Sequence, residues 1–217
     1  MINLDEIKGA IFDVDGTMLD SMRMWHDIEI EYLMKHGISG VDNWAEVRYE
    51  MSQAEVGEYF QKEYGIKKSV QEITAEKNAM LDEFYFNAAA LKPGVVAFLE
   101  ALKARGVKMC VATATDRYLI EASLSRVGID KYFERIFTCN EERTSKSSPD
   151  IFIRAAKFLG TDVGETVVVE DASHAIRSAK SAGFKVMAVF DQSAAAHQEE
   201  IRAMSDYYYT SLDDLIY

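Results

Sequence analysis

Two aspartates stand two positions apart at the end of a short apolar run, in the sequence Asp13-Val-Asp15-Gly-Thr17. The run, residues 7–14, is typical of a buried parallel strand, and two carboxylates at such a strand end can reach the same small volume. A carboxylate can attack phosphorus as a nucleophile, while a second carboxyl group protonates the leaving alcohol and later deprotonates water. On its own, an Asp-Gly pair after a strand is equally typical of a plain turn.

Side chains suited to the same chemistry follow other predicted strands. They are Thr113 and Ala114 after the run 107–112, Lys146 in the loop after the strand that ends near Thr138, and Glu170 and Asp171 after the run 166–169. Ligands of open parallel sheets bind outside the carboxyl ends of the strands, so we expect these residues to converge. The lysine offers positive charge to a phosphate ester, and Thr113 with nearby backbone N–H groups, such as that of Ala114, offers hydrogen bonds.

The predicted cluster is rich in acids. Two like charges about 4 Å apart repel by on the order of 4 kcal/mol at an effective dielectric constant of roughly 20, so several ionised carboxylates need a cation in their midst. Mg²⁺ fits this need because it takes one or two carboxylates together with waters and substrate phosphate oxygens. The residues therefore predict a magnesium-dependent site for small phosphate esters.

The elements that must position these side chains alternate along the chain. Strands are predicted at 7–14, 107–112, 135–137, 166–169, 185–190 and 207–210, and helices at 95–105, 116–127, 149–159 and 173–182. This succession indicates βαβ units and an α/β fold with a Rossmann-like, doubly wound parallel sheet. The segment between the first predicted strand and the helix at 95–105 contains no convincing strand, but it has helical periodicity at 22–36, 53–64 and 69–90. We expect a catalytic core of residues 1–16 plus 92–217, with residues 17–91 inserted as a helical cap domain.

The composition narrows the choice of partners. The net charge of −12 argues against nucleic acid or an anionic membrane surface as a partner, because both need a basic footprint. The first residues lack the basic and apolar regions of a signal peptide, and no apolar stretch approaches the length of about 18 residues that a membrane span needs. Cys110 and Cys139 lie in apolar runs, as buried thiols of a reducing compartment do. We expect a cytoplasmic protein that acts on a small phosphorylated metabolite, and the sequence indicates no particular oligomeric state.

The four motifs together resemble those of the haloacid dehalogenase superfamily, in its branch of phosphatases and β-phosphoglucomutase-like enzymes with a small helical cap. The resemblance covers nearly the whole chain and rests on Asp13-Val-Asp15-Gly-Thr17, on the strand before Thr113, on Lys146-Ser-Ser-Pro149-Asp-Ile-Phe152 and on Val167-Val-Val-Glu170-Asp171. Ser147 stands where the family commonly has proline, and Ala172 and Ala175 replace a serine and a glycine that usually follow the last motif.

The resemblance implies a role for each motif residue. Asp13 would be the nucleophile and a metal ligand, and Asp15 the acid/base that also contributes its backbone carbonyl to the metal. Thr113 and Lys146 would hold the transferring phosphoryl group. Asp171 would ligate Mg²⁺, with Glu170 either a further ligand or a support for one.

The cap should decide the substrate. Trp25 stands where phosphoglucomutases of this branch carry a histidine, which favours hydrolysis over mutase chemistry. A phosphomutase and a non-catalytic phosphometabolite-binding protein remain as alternatives. The first cap helix and the loops after it usually face the catalytic centre in this branch, so Trp25, Arg48, Tyr49 and Met51 are candidate substrate-specificity residues, although Arg48 could equally be a surface charge. We expect His174 to lie on the surface of its helix.

Overall fold

The computed structural model describes residues 3–41, 43–48 and 51–215 of the chain. In this part of the chain, six strands form one parallel sheet in the order β3-β2-β1-β4-β5-β6. The strands are β1 (Gly9–Phe12), β2 (Lys108–Thr113), β3 (Ile136–Thr138), β4 (Thr166–Glu170), β5 (Lys185–Val189) and β6 (Tyr207–Tyr209). Because β1 pairs with both β2 and β4, the segments that follow these three strands lie side by side at one edge of the sheet.

Helices connect the strands, with short 3₁₀ turns between some of them. In chain order they are α1 (Met22–Lys35), α2 (Trp44–Arg48), α3 (Gln53–Tyr64), α4 (Val70–Glu83), α5 (Val95–Ala104), α6 (Arg117–Arg126), α7 (Cys139–Glu142), α8 (Asp150–Leu159), α9 (Ser173–Ser181) and α10 (Gln198–Met204). The short helix α7 falls within a segment that the sequence predicted to be a loop. No helix among the described residues is long and apolar enough to cross a bilayer.

Both faces of the sheet are covered by helices. Along β1, Ala10 and Phe12 pack into one apolar cluster with α5 and α6, whereas Ile11 packs into a second cluster with α8 and α9. Since alternate residues of a strand face opposite sides, a strand buried on both faces is apolar at every position, and all four residues of β1 are buried. The predicted α/β fold with a doubly wound parallel sheet is confirmed.

Helices α1 to α4 form a block between β1 and α5. They pack around a third apolar cluster that includes Tyr32, Trp44 and Phe60. The two connections from this block to the sheet run side by side: the backbone N–H of Asp20 donates to the carbonyl of Ala90 at 3.0 Å, and Leu19 forms a bridge with Leu91. Both connections therefore leave the sheet next to the end of β1.

The last helix of the block differs from its prediction. Periodicity predicted one helix over residues 69–90, but α4 ends at Glu83 and the chain continues as a π-helix over Phe84–Ala88. The backbone N–H of Ala89 donates to the carbonyl of Phe84 at 2.8 Å, which is the wider five-residue turn of this geometry. Apolar periodicity carries no signal for this wider turn.

Candidate active site

The turn after β1 places two carboxylates and a threonine at the sheet edge. Gly16 has a φ of 83°, and a Cβ built on it would lie 2.3 Å from Oδ2 of Asp171, so both the backbone conformation and the space require glycine. Thr17 follows and donates a hydrogen bond from Oγ1 to Oδ1 of Asp171 at 2.9 Å. The turn is thus fixed against the end of β4.

Lys146 lies between two buried carboxylates. Its Nζ donates to Oδ1 of Asp13 and, at 2.6 Å, to Oε1 of Glu170. Burial alone would lower the pKa of Lys146, but the neighbouring charges of Asp13 and Glu170 outweigh it, and the pKa is raised. The lysine is therefore a fixed cation at the sheet edge.

Glu170 uses both of its oxygens within the protein. Oε1 accepts from Lys146, and Oε2 accepts from the backbone N–H groups of Asp171 at 2.8 Å and Ala172 at 2.9 Å. This arrangement suits a residue that supports Lys146. It leaves Asp13 and Asp171 as the better-placed side chains for a metal ion.

The acidic cluster fits a divalent cation. Carboxylate oxygens of Asp13, Glu170 and Asp171, all buried, lie within 4.8 Å of one another. Burial raises the pKa of Asp13 to about 7, with Lys146 opposing and Glu170 adding to the rise. Burial, followed by the charge of Glu170, also raises the pKa of Asp171 well above its usual range. Three carboxylates with one lysine are short of positive charge when ionised, and hard oxygen ligands are those that Mg²⁺ prefers.

Asp15 faces a different environment. Its Oδ1 accepts from Oγ of Ser21 at 2.6 Å and from the hydroxyl of Tyr85 at 2.5 Å, and its Oδ2 accepts from Oγ1 of Thr115 at 2.7 Å. Tyr85 in turn accepts from Nε1 of Trp25 at 2.8 Å. The Asp15 carboxylate is therefore held by three hydroxyls rather than by Lys146, and the predicted metal role of its backbone carbonyl stays a prediction.

Thr113 ends β2 beside these groups. It is buried, and its Oγ1 accepts from the backbone N–H of Thr115 at 3.0 Å. Among the described residues, no acceptor takes the hydroxyl proton of Thr113, which leaves it able to donate to a phosphate oxygen. Ala114 follows at the same edge, and the predicted use of its backbone N–H stays a prediction.

A cavity of about 470 Å³ lies between the sheet edge and the helical block. The predicted residues that line it are Asp13, Asp15, Thr113, Ala114, Lys146, Glu170 and Asp171 from the sheet edge, and Trp25, Arg48 and Met51 from the block. Tyr49, the remaining predicted specificity residue, lies outside the described residues. The structure thus brings all but one of the predicted residues to a single cavity.

Arg48 is held in the cavity wall by a buried charge network. Its Nε donates to Oε2 of Glu29 at 2.6 Å, and Nζ of Lys77 lies 3.2 Å from Oε1 of the same glutamate. Burial would raise the pKa of Glu29, but Arg48 and Lys77 outweigh it and lower the pKa, so the glutamate is ionised. In the described part of the chain, the two terminal NH₂ groups of Arg48 have no hydrogen-bond partner and are able to contact a ligand. Its side chain is only 16% exposed and is paired with Glu29, which argues against the alternative that Arg48 is merely a surface charge.

His174 was wrongly predicted to be a surface residue. It lies in the first turn of α9, directly after the carboxyl end of β4, and lines the cavity. Its Nδ1 is buried and has no hydrogen-bond partner within the described residues. Burial lowers the pKa of His174, which keeps the imidazole neutral near pH 7. Its position three residues after Asp171 was the signal in the sequence, because the first turn of a helix that leaves this sheet edge must border the site.

Sequence reasoning also missed several hydroxyls and one lysine. Thr17 belongs to the first motif but received no role, and nothing in the sequence linked Ser21, Tyr85 or Thr115 to Asp15. Lys92 donates from Nζ to the carbonyls of Gly16 and Phe190 and to Oδ2 of Asp191 at 2.9 Å. The contacts of Tyr85, Thr115 and Lys92 join segments at least 70 residues apart in the sequence, so they become visible only in the folded chain.

The chain belongs to the haloacid dehalogenase-like hydrolases: the sequence matches this family over residues 7–183. This stretch contains every motif residue described above. The family accounts for the parallel sheet with the acidic residues at its carboxyl edge.

Several known proteins are similar to the chain. The fructose-1-phosphate phosphatase YqaB of Escherichia coli is 25% identical over 197 residues, which are 85% of this chain and 97% of that protein. The phosphorylated carbohydrates phosphatase of Thermotoga maritima is 25% identical over 189 residues, 82% of this chain and 83% of that protein. The crystal structure of CbbY from Rhodobacter sphaeroides, in complex with phosphate, has a TM-score of 0.81 and 22% identity over 96% of each chain, and this likeness shows the fold.

Proposed function

We propose that the protein is a Mg²⁺-dependent phosphatase that hydrolyses a small phosphate monoester through an aspartyl phosphate on Asp13. The observation that carries the proposal is the separation of two carboxylates at one strand end. Asp13 contacts Lys146 within the acidic cluster, whereas Asp15 is held by hydroxyls on the side of the helical block. This difference in partners supports the assignment of Asp13 to the phosphoryl group and its metal and of Asp15 to proton transfer.

The residues divide the reaction between them. Lys146 and Thr113 bind the oxygens of the phosphoryl group. An oxygen of Asp13 forms a bond to phosphorus as the ester P–O bond breaks, and Asp15 gives its proton to the departing alcohol oxygen. Asp15 then takes a proton from water, whose oxygen bonds to phosphorus as the Asp13–phosphorus bond breaks, and inorganic phosphate leaves. The side chains of Asp13 and Asp171 and the backbone carbonyl of Asp15 would hold Mg²⁺, which would supply charge neutralisation for the phosphoryl oxygens.

The cavity supports a small polar substrate. Its volume of about 470 Å³ suits a ligand of sugar-phosphate size. Residues 17–91 act as a cap, in which Arg48 contacts hydroxyl or anionic groups of the substrate. Trp25 and Met51 form an apolar part of the cavity wall. The phosphatases of phosphorylated sugars among the relatives support this class. Cytoplasmic location belongs to the same proposal, because small phosphorylated metabolites are found there.

The test is hydrolysis of p-nitrophenyl phosphate with and without Mg²⁺. We expect activity that requires Mg²⁺ and falls at least about 10³-fold in Asp13→Asn, because the nucleophile is lost. Asp20→Asn is the matched control, because this carboxylate belongs to the same segment but lies outside the acidic cluster. Metal-independent turnover, or an active Asp13→Asn variant, would contradict the proposal.

Two further measurements separate hydrolysis from the alternatives. Asp15→Asn should accumulate phosphoenzyme, detectable as a mass increase of the intact protein after acid quench, because water is no longer deprotonated. A screen of phosphorylated metabolites for phosphate release would identify the substrate. Isomerisation of a hexose 1-phosphate in place of phosphate release would instead show a phosphomutase, and binding without turnover would show a non-catalytic protein.

A further inference from the structure

A buried hydrogen-bond chain runs from the helical block to Asp15. It consists of Trp25, Tyr85 and the carboxylate, with distances of 2.8 Å and 2.5 Å between the bonded atoms. Tyr85 is fully buried and Trp25 is 2% exposed, so water does not compete for these bonds. Tyr85 lies in the π-helix Phe84–Ala88, a geometry that is frequent at functional sites.

The direction of the chain is fixed by chemistry. An indole N–H can only donate, so the oxygen of Tyr85 accepts from Trp25 and has its own proton left for Asp15. A phenol has an ordinary pKa of about 10, so its proton is present near neutral pH. Tyr85 is therefore a fixed donor whose orientation is imposed by the tryptophan behind it.

The hydrogen bonds distinguish the two oxygens of Asp15. Oδ1 accepts from both Ser21 and Tyr85, which uses its two lone pairs, whereas Oδ2 accepts from Thr115 alone among the described residues. One lone pair therefore remains on Oδ2, at an atom held in place by bonds on both sides of the carboxylate. Asp15 itself lines the cavity.

We propose that Tyr85 is a positioning residue that orients the carboxyl group of Asp15, so that Oδ2 exchanges the proton with the leaving oxygen and the attacking water. This inference rests on the proposed phosphatase function. Trp25, which also lines the cavity, orients Tyr85 through its indole N–H. Neither Trp25 nor Tyr85 exchanges a proton with the substrate.

The test uses a series of aryl phosphates with increasingly poor leaving groups: p-nitrophenyl, phenyl and p-methoxyphenyl phosphate. A good leaving group departs without protonation, whereas a poor one depends on a well-placed acid. In Tyr85→Phe we expect kcat/KM to fall about tenfold for phenyl phosphate and no more than about twofold for p-nitrophenyl phosphate. A merely structural loss would lower kcat/KM for all three substrates by the same factor.

Two variants complete the experiment. Tyr118→Phe is the matched control, because it also removes a phenol that bonds across the contact between the block and the sheet region, to Oδ1 of Asp82 at 2.8 Å. We expect its dependence on the leaving group to equal that of the wild type. Ser21→Ala removes the other donor to Oδ1 and should steepen the dependence as Tyr85→Phe does, which keeps the test available if the tyrosine variant folds poorly.

The outcomes separate this inference from the proposed function. If the wild type hydrolyses the series with Mg²⁺ but Tyr85→Phe and Ser21→Ala lose activity uniformly or keep it, the positioning role is wrong while the phosphatase stands. If the wild type hydrolyses none of the three esters, the proposed function itself fails.

Discussion

Two buried lysines lie in opposite electrostatic environments, one in the sheet region and one in the helical block. Lys146, at the sheet edge, contacts the carboxylates of Asp13 and Glu170, and these raise its pKa. Lys77, in the helical block, shares the single carboxylate of Glu29 with Arg48, and burial lowers its pKa. We call the first group, with Asp171, the site cluster, and the group of Glu29, Arg48 and Lys77 the block cluster.

The difference lies in the sign of the uncompensated charge. When ionised, the site cluster holds three carboxylates against one lysine, so it lacks positive charge. The block cluster holds a lysine and an arginine against one glutamate, so it lacks negative charge. A divalent cation would compensate the charge of the site cluster. An anionic or hydroxyl-rich part of a substrate would compensate the charge of the block cluster. Of the block cluster, only Arg48 is among the described residues that line the cavity, and in the proposed function it would contact the substrate at the end away from the phosphoryl group.

The difference between the two clusters is tested most directly by replacing each lysine in turn by methionine. Lys146→Met should lower kcat/KM for p-nitrophenyl phosphate by about 10² to 10³, because a fixed cation that neutralises the phosphoryl oxygens is removed. Steady-state kinetics with Mg²⁺ would measure this loss. Lys77→Met serves as the matched control and should keep kcat within about threefold. Equal losses in the two variants would mean that the clusters do not differ in role.

The second prediction concerns stability. Lys77→Met should lower the free energy of unfolding by about 3 kcal/mol, because Glu29 remains buried with one charged partner fewer. Urea unfolding at pH 7 would measure the change. Lys68, which pairs with Glu76 in the same block but is 36% exposed, provides the control. Lys68→Met should cost no more than about 1 kcal/mol, and a Lys77→Met variant as stable as this control would show that the block cluster contributes little to folding.

The two clusters also differ in how far the sequence predicted them. The site cluster could be predicted because each member stands at a strand end, and parallel strands bring their carboxyl ends to one edge. Local apolar runs fixed the strands, and the motifs fixed the residues. The same logic predicted the six-stranded sheet to within a few residues at each strand boundary.

The block cluster could not be predicted in this way. Glu29, Arg48 and Lys77 stand on three different helices, and only helix packing brings them together. The hydrogen bonds from Ser21 and Tyr85 to Asp15 likewise depend on how the block joins the sheet and on the π-helix. The wrong prediction for His174 has another cause. Its position three residues after Asp171 was visible in the sequence, but a lone histidine on an amphipathic helix was interpreted as a surface residue.

A third prediction sharpens the role of the block cluster. Arg48→Met should raise KM about tenfold for the phosphorylated sugar that the metabolite screen selects, because the terminal guanidinium contacts are lost. It should leave KM for p-nitrophenyl phosphate, which has no second hydroxyl or anionic end, nearly unchanged. Arg23→Met is the control, since this arginine also lines the cavity but its side chain is 93% exposed. An equal rise in KM for both substrates would contradict a contact with the distal end of the substrate.

The smallest expected effect concerns pH and the metal. Because the pKa of Asp13 is raised to about 7 in the metal-free protein, the folded state keeps a proton that the unfolded state has already released. The stability that this proton provides is present in full below the ordinary pKa of about 4 and is lost as the pH rises to about 7. Mg²⁺ replaces the proton, so it should stabilise more at high pH.

Thermal unfolding at pH 5 and pH 8 would measure this effect. We expect the Mg²⁺-induced rise in Tm to be about 3 °C larger at pH 8, which corresponds to about 1 kcal/mol for a chain of this size. Potassium chloride at the same ionic strength controls for screening, and Asp13→Asn should reduce the difference because one ionisable oxygen ligand is gone. A Mg²⁺ shift independent of pH in the wild type would mean that protons and metal do not compete at the site cluster, and the contrast between the two clusters would then rest on Lys146 alone.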